Sequence, residues 1–300
     1  MGSANDMQRP IMAMETYLAQ MQAHVAQQAP ELLPVFADYL GEARFGMNLL
    51  ATDLDTLPTG ATILEVGAGS HLLSCWLQHL GYRVIAVEPI GSGFSHLDRL
   101  REIVLDLAAE NGYRPELHAL QAETLNMESV ADFAFSINVM EHVGNVGTVL
   151  CRVHAALKPG ACYRFTCPNY IFPYEPHFNL PTLGGRRLTE WVLGHWIFNS
   201  RRVADPRGTW ASLNWINVLG VRQACHALLN CKLEFSPAAW QLQIHRALAD
   251  TGFQQRRSHF IRTLFGILEK LGLSALLMRI PLLLLPVMDC RIHRLPEVHS

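Results

Sequence analysis

Residues 62–89 read TILEVGAGSHLLSCWLQHLGYRVIAVEP, and their spacing predicts a strand, a glycine turn, a helix and a second strand. Ile63, Leu64 and Val66 form a short apolar run around Glu65, and Gly67 and Gly69 break it. Over residues 71–79 apolar side chains recur at helical spacing (Leu72, Leu73, Trp76, Leu77), and Gly81 stops that helix. Residues 83–87 are a second apolar, β-branched run that ends in Glu88. A unit of this kind sets its two strands parallel in one sheet. The glycine turn then lies at the carboxyl end of the first strand, where open α/β sheets bind ligands. Glu88, ending the second strand, is placed to accept hydrogen bonds from ribose hydroxyls.

Working outward, a helix is expected over 95–111, with Leu97, Leu100, Ile103, Val104 and Leu107 as its apolar stripe. A third strand is expected over 117–121, with Glu123 beyond its end, and a fourth over 131–139, ending in Asn138-Val139-Met140-Glu141-His142. A helix over 146–157, closed by Lys158-Pro159-Gly160, leads to a fifth strand over 161–166 and then to Tyr170. Strands alternating with helices predict an α/β fold, a doubly wound and mostly parallel Rossmann-like sheet. Before it, residues 11–57 carry helical spacing and read as an N-terminal flap. That flap either covers a sheet edge or lines the substrate cleft with Tyr39, Arg44 and Phe45.

Composition narrows the function. With half of its 300 residues hydrophobic and a formal charge of −2, the chain is neither disordered nor a general polyanion binder, which weighs against nucleic acid. Its seven cysteines form no C-x-x-C pair, which points to a reducing compartment, and its histidines show no zinc-ligand spacing, so no metal site is expected. The first residues lack the apolar run of a secretory signal, and a cytoplasmic protein is expected. No G-x-x-x-x-G-K-[ST] loop is present for a triphosphate. A dinucleotide fingerprint would need a third glycine where Leu72 stands, and Glu65 disfavours a pyrophosphate while suiting a cationic ligand.

Glu65-Val66-Gly67-Ala68-Gly69, the acid Glu88, Ala122-Glu123, the stretch SINVMEHV at 136–143 and Leu157-Lys158-Pro159-Gly160 together resemble the class I S-adenosylmethionine-dependent methyltransferases. The closest flavour is the small-molecule O-methyltransferase group that includes the ubiquinone-pathway enzymes. The resemblance covers about residues 60–170. It implies S-adenosylmethionine as cofactor, with Glu65, Gly67 and Gly69 around the methionine moiety and Glu88 on the ribose. Ile90 would lie beside the adenine, Glu123 near its amino group, and Asn138 at the methionine end. The chain departs from the family at Ser70-His71, where many members carry a third glycine.

The reaction implied is methyl transfer to an oxygen of a small or lipid-linked acceptor. A base helps if that acceptor is a hydroxyl, and His142 and then His177 are the candidates. Tyr170, Tyr174 and Glu175 stand in the dense segment YIFPYEPHF (170–178) after the fifth strand and are the candidate acceptor residues. The [DN]-P-P-[YF] signature of amino-methylating nucleic-acid members is absent after the fourth strand, which favours a small molecule over DNA. Two other readings stay open: an N-methyltransferase on a small molecule, and a non-catalytic scaffold that has kept the cofactor pocket.

The domain boundaries that follow are 1–57 for the flap, 58–170 for the cofactor-binding core, 171–262 for an acceptor-site insertion and the end of the core, and 263–300 for an apolar C-terminal extension read as helical. In the third segment, helices are expected over 186–196, 218–229 and 241–249 and a strand over 232–235, with a weak strand at 253–260. Arg186, Arg187, Arg201 and Arg202 form either a solvated face or a seat for an anionic acceptor. The apolar run at 264–288 is interrupted by Glu269, Lys270, Arg279, Pro281 and Pro286, so its uncharged pieces are too short to span a bilayer. It either packs on the domain or on a homodimer partner, or makes a peripheral contact with the inner face of a membrane.

Overall fold

Two helices precede the sheet, Ala4–Gln28 (α1) and Leu33–Leu54 (α2), the second carrying Pro34 in its first turn, where a missing N–H costs nothing. The computed structural model describes residues 4–89, 95–203, 205–249 and 280–296. The chain divides into two units, Met1–Leu125 with Val130–Phe135, and Asn126–Ser129 with Ser136–Ser300.

In the first unit, α1 is pinned by Tyr17, whose hydroxyl donates to Leu72 O at 2.9 Å and whose ring packs on Trp76 and Tyr113 at 5.2 and 6.1 Å. The buried face of α2 includes Phe36, Leu40 and Phe45, while Arg44 turns outward to an ion pair with Glu15. Thr62–Val66 (β1) is buried at all five positions, the pattern of a strand covered on both faces. Leu72–His79 (α3) follows the glycine turn and returns the chain to Arg83–Val87 (β2), parallel to β1 with Thr62 opposite Arg83. Ser95–Glu110 (α4) leads to Glu116–His118 (β3), parallel to β2, and β1 pairs on its other side with Ala131–Ile137 (β4). The order is β3-β2-β1-β4, all parallel, as the alternation of strands and helices predicts. The third strand is shorter than expected. The fourth stops at Ile137 because Asn138 takes the left-handed conformation (φ +55°), which a strand cannot continue.

In the second unit, Val146–Ala156 (α5) is capped by Asn145, whose side chain accepts the Thr148 N–H. The chain turns extended already at Leu157, so Lys158-Pro159-Gly160 belongs to Leu157–Pro168 (β5) and does not close the helix. A two-stranded ribbon, Tyr174–Glu175 (β6) with Leu180–Pro181 (β7), precedes Arg186–Phe198 (α6), Pro206–Ser212 (α7) and Val218–Leu228 (α8). Cys231–Phe235 (β8) and Ala238–Ala249 (α9) follow. The last described element, Val287–Arg294 (β9), lies antiparallel between β5 and β8, with Cys290 opposite both Phe165 and Phe235. The segment expected as a C-terminal extension thus supplies an internal strand of the sheet. Asp289, Arg291, His293 and Arg294 hide that strand from any hydrophobic pattern. Asp289 is tolerated because it is paired: Arg164 Nε and Nη2 donate to its two oxygens at 2.9 and 2.7 Å, both side chains are buried, and Asp289 also accepts the Ala239 N–H at the start of α9.

The 253–260 strand, Ile90, and residues 264–279 of the apolar run lie outside the described residues. Among those described, no helix is long and apolar enough to cross a membrane, and the cysteines form no disulfide.

Candidate functional site

The glycine turn is built by its backbone. Gly67 and Ala68 donate their N–H groups to Val87 O, which ties the turn to the end of β2, and Gly67 and Gly69 take φ +77° and +51°. L side chains rarely adopt those angles, which is why glycine stands there. A Cβ built on Gly69 meets no heavy atom within 4 Å, so open space lies beside the turn. The turn's third conformational demand falls on His71, also left-handed at φ +60°. Its side chain is buried, and its Nδ1 has no hydrogen-bond partner. Burial, with the charges of Arg101 and Arg114, pushes its pKa down to about 3, so the ring is neutral.

Two carboxylates serve the same turn. Glu88 accepts the Gly69 N–H at 3.0 Å and lies 3.6 Å from Arg101, while burial raises its pKa against both of those partners. Glu65 is buried beneath the turn and accepts the Ser74 hydroxyl hydrogen. Burial pushes its pKa to about 8, with Ser74 opposing and the charge of Glu88 adding to the rise. A buried acid that resists ionisation suits a ligand bringing its own positive charge. Glu123 lies in the single helical turn after β3. The open turn, the orphaned His71 Nδ1 and the two acids fit a cationic nucleoside ligand such as S-adenosylmethionine. In the second unit, Asn138 is exposed and donates its N–H to Thr166 O.

The second unit gathers residues that are far apart in sequence. Glu141 is fully buried, and its carboxylate lies 4.0 Å from His142 Nε2. The His142 and His177 rings meet edge to face, with centroids 5.1 Å apart. His177 Nδ1 lies 2.6 Å from Glu175, which also accepts from Tyr170 Oη at 3.2 Å and from the Phe178 N–H at 2.8 Å. Burial alone would raise the Glu175 carboxyl, but the His177 ring and the backbone N–H groups of Phe178 and His177 hold it below the ordinary range. Tyr174 instead donates to Asn179. Of the predicted residues, then, His142, His177, Glu175 and Tyr170 come together with Glu141, and Tyr174 bonds elsewhere.

Two residues of this cluster carry no sequence signal. Asn214 donates from Nδ2 to Met140 O and Val143 O (2.7 and 2.8 Å) and from its backbone to Glu141 O, clamping the turn that carries Glu141 and His142. Ser212 Oγ lies 2.9 Å from His142 Nδ1 and gives its own hydrogen to Thr209 O. The spacing of the histidines predicts no metal site. The tertiary structure nonetheless brings donor atoms of Glu141, His142 and His177 within 4.8 Å of one another. Beside Tyr170, a cavity of about 640 Å³ is lined by Asn214, Trp215 and the Gly184–Arg186 turn, among others. That volume is in the range of small-molecule sites.

Residues 39–208 match the family model described as a methyltransferase domain. An uncharacterized protein of Mycobacterium tuberculosis (strain ATCC 25618 / H37Rv) is 42% identical over 291 residues, spanning 96% of this chain and 98% of that protein. The ubiquinone biosynthesis O-methyltransferase of Bradyrhizobium sp. (strain ORS 278) is 30% identical over 135 residues, 45% of this chain and 49% of its own length. The dimethylglycine N-methyltransferase of Parasynechococcus marenigrum (strain WH8102) is 30% identical over 119 residues, 38% and 40% of the two chains. These two matches cover about half of each relative or less. The family model spans more than half of the chain and takes in the glycine turn and both of its acids, so this chain belongs to the methyltransferase family and is a class I enzyme dependent on S-adenosylmethionine.

Proposed function

We propose that the enzyme methylates an oxygen of a small or lipid-linked acceptor. One observation carries this reading, the contact of His142 Nδ1 with a Ser212 hydroxyl that also meets Thr209 O. Because the Ser212 hydroxyl gives its hydrogen to Thr209 O, its oxygen accepts from His142 Nδ1–H, and the lone pair of the neutral ring is left on Nε2. Burial, aided by the charge of His177 and opposed by Glu175, lowers the His142 pKa to about 4, so the ring is unprotonated at neutral pH. A neutral imidazole can take the proton of a hydroxyl as its oxygen attacks, whereas a free amine is nucleophilic without such help.

When bound, S-adenosylmethionine supplies a methyl group activated by its sulfonium. In this reading Glu65, Gly67, Gly69, Glu88, Ile90, Glu123 and Asn138 hold that cofactor. His142 acts as base. His177, oriented by Glu175, is the alternate base, and Tyr170, Tyr174 and Glu175 shape the acceptor site. Positioning does much of the remaining work, since in-line displacement rewards a fixed geometry. The names of the relatives do not choose between oxygen and nitrogen, because one of each matches at the same identity.

The test is methyl-labelled cofactor incubated with extracted metabolites and lipids, read by mass spectrometry. The expected product carries the label on oxygen, and His142→Gln is expected to lower kcat by about 10²- to 10⁴-fold without changing cofactor affinity. Label found only on nitrogen, on protein or on nucleic acid rejects the reading, and unchanged turnover in the variant removes His142 as the base.

A second reading is favoured by the donor set. Glu141, His142 and His177 resemble a two-histidine, one-carboxylate divalent site. The Glu175 carboxylate on His177 Nδ1 is the outer support that metal-bound histidines use. A cation there would polarise an acceptor oxygen. Chelation followed by dialysis is then expected to abolish turnover, with restoration by added divalent metal. Turnover that survives chelation rejects it.

A further inference from the structure

Helix α6 has apolar residues on two faces. Its inner face packs Ile197, Leu193 and Phe198 around Phe178, Trp210 and Leu213. Its outer face carries Leu188, Trp191, Val192 and Trp196, at helical spacing and all exposed, Trp191 at 83% and Trp196 at 60%. A helix apolar on both sides is ordinarily buried on both, so this outer face calls for a covering. Exposed apolar stripes containing tryptophan are how interfacial helices enter the headgroup layer of a bilayer.

Charge identifies the covering. Arg186 and Arg187 stand in the first turn of α6, Arg201 and Arg202 just beyond its end, and the Arg207 guanidinium lies 4.7 Å over the Phe198 ring. Between 186 and 207 there are five arginines and two acids, a local net of +3 in a chain whose total is −2. Both acids are engaged: Glu190 accepts from Trp210 Nε1 and Asp205 from the Gly208 N–H. Basic residues beside a bilayer of anionic lipid each contribute about 1 kcal/mol of attraction. The first turn of α6 also lines the cavity beside Tyr170 and Trp215, so a surface-bound helix would set that cavity at the lipid boundary.

We infer that the outer face of α6, with Trp191 and Trp196 as anchors and the arginines at its two ends, docks the enzyme on an anionic lipid bilayer. The contact is peripheral and independent of the identity of the methyl acceptor. Within the same unit Leu282, Leu283 and Leu284 form a further exposed apolar turn.

Flotation of the full chain with phosphatidylglycerol vesicles and with phosphatidylcholine vesicles, at low and high salt, tests it. Wild type is expected to float with the anionic vesicles, and less so as salt rises. Trp191→Ser combined with Trp196→Ser, and separately Arg201→Glu combined with Arg202→Glu, are each expected to weaken the binding at least about tenfold. Both changes lie on exposed positions, and unchanged cofactor affinity reports that the variants are folded. No flotation of wild type with anionic vesicles overturns the inference, as does flotation that survives loss of both tryptophans. Light scattering that shows the tryptophan variant converting a dimer into a monomer assigns the face to a second copy and overturns it. An oxidation footprint that finds Trp191 and Trp196 protected in the free protein shows that the face is already covered and also overturns it.

Discussion

The glycine turn of the first unit and the histidine cluster of the second are built at different ranges of sequence. Around the turn, Glu65 meets Ser74 nine residues away and Glu88 meets Gly69 nineteen away. In the second unit, His142 meets Ser212 across 70 residues, Asn214 meets Met140 across 74, and Arg164 meets Asp289 across 125. The first region is one supersecondary unit whose ligand groups fall at the ends of neighbouring strands. The second is held by polar pairs that no local pattern announces, and its fixed points are long-range hydrogen bonds more than apolar stripes.

The sharpest way to break this contrast is to remove a long-range pair. Asp289→Ala takes the bidentate carboxylate away from the buried, charged Arg164, and is expected to cost about 3–5 kcal/mol in urea unfolding. A loss below about 1 kcal/mol would mean that the pair does not hold β9 between its neighbours. The matching change in the first unit is smaller. Glu88→Ala removes the carboxylate at the end of β2 and is expected to weaken S-adenosylmethionine about tenfold to a hundredfold, the worth of a hydrogen bond to a charged group. Calorimetry reads it, and an unchanged affinity would detach Glu88 from the cofactor site.

A pH test concerns Glu65. Its folded pKa of about 8 lies above the ordinary 4.5, so between those values the folded chain holds a proton that the unfolded chain has lost. Stability of the cofactor-free enzyme should therefore fall as pH rises from about 5 to 8, on the order of 1 kcal/mol per pH unit, and level off above that. Glu65→Gln should flatten the slope, and saturating S-adenosylmethionine should reduce it by favouring the ionised acid. An equal slope in the variant would trace the pH dependence to another group.

How far the chain could be read follows the same division. The spacing of Leu72, Leu73, Trp76 and Leu77 announces α3, and the two glycines announce the turn, because local sterics and one buried face decide both. The left-handed conformation of His71 could not be read, since histidine does not advertise φ +60°; the fold imposes it and buries the ring. β9 was hidden for a related reason. Its acid and arginine look like surface chemistry until Arg164, from a strand far away in sequence, accounts for Asp289.

By itself, then, the sequence determined the parallel βαβ core, the glycine turn with Glu65 and Glu88, and the family to which they belong, because each depends on residues close together in the chain. The tertiary structure alone decided that Glu141, His142, Glu175 and His177 share one cluster and that Asn214 and Ser212 hold it. It also decided that β9 completes the sheet and that α6 turns two tryptophans to the outside. Those outcomes depend on which distant groups satisfy one another once water is excluded, and spacing along a chain carries no record of that.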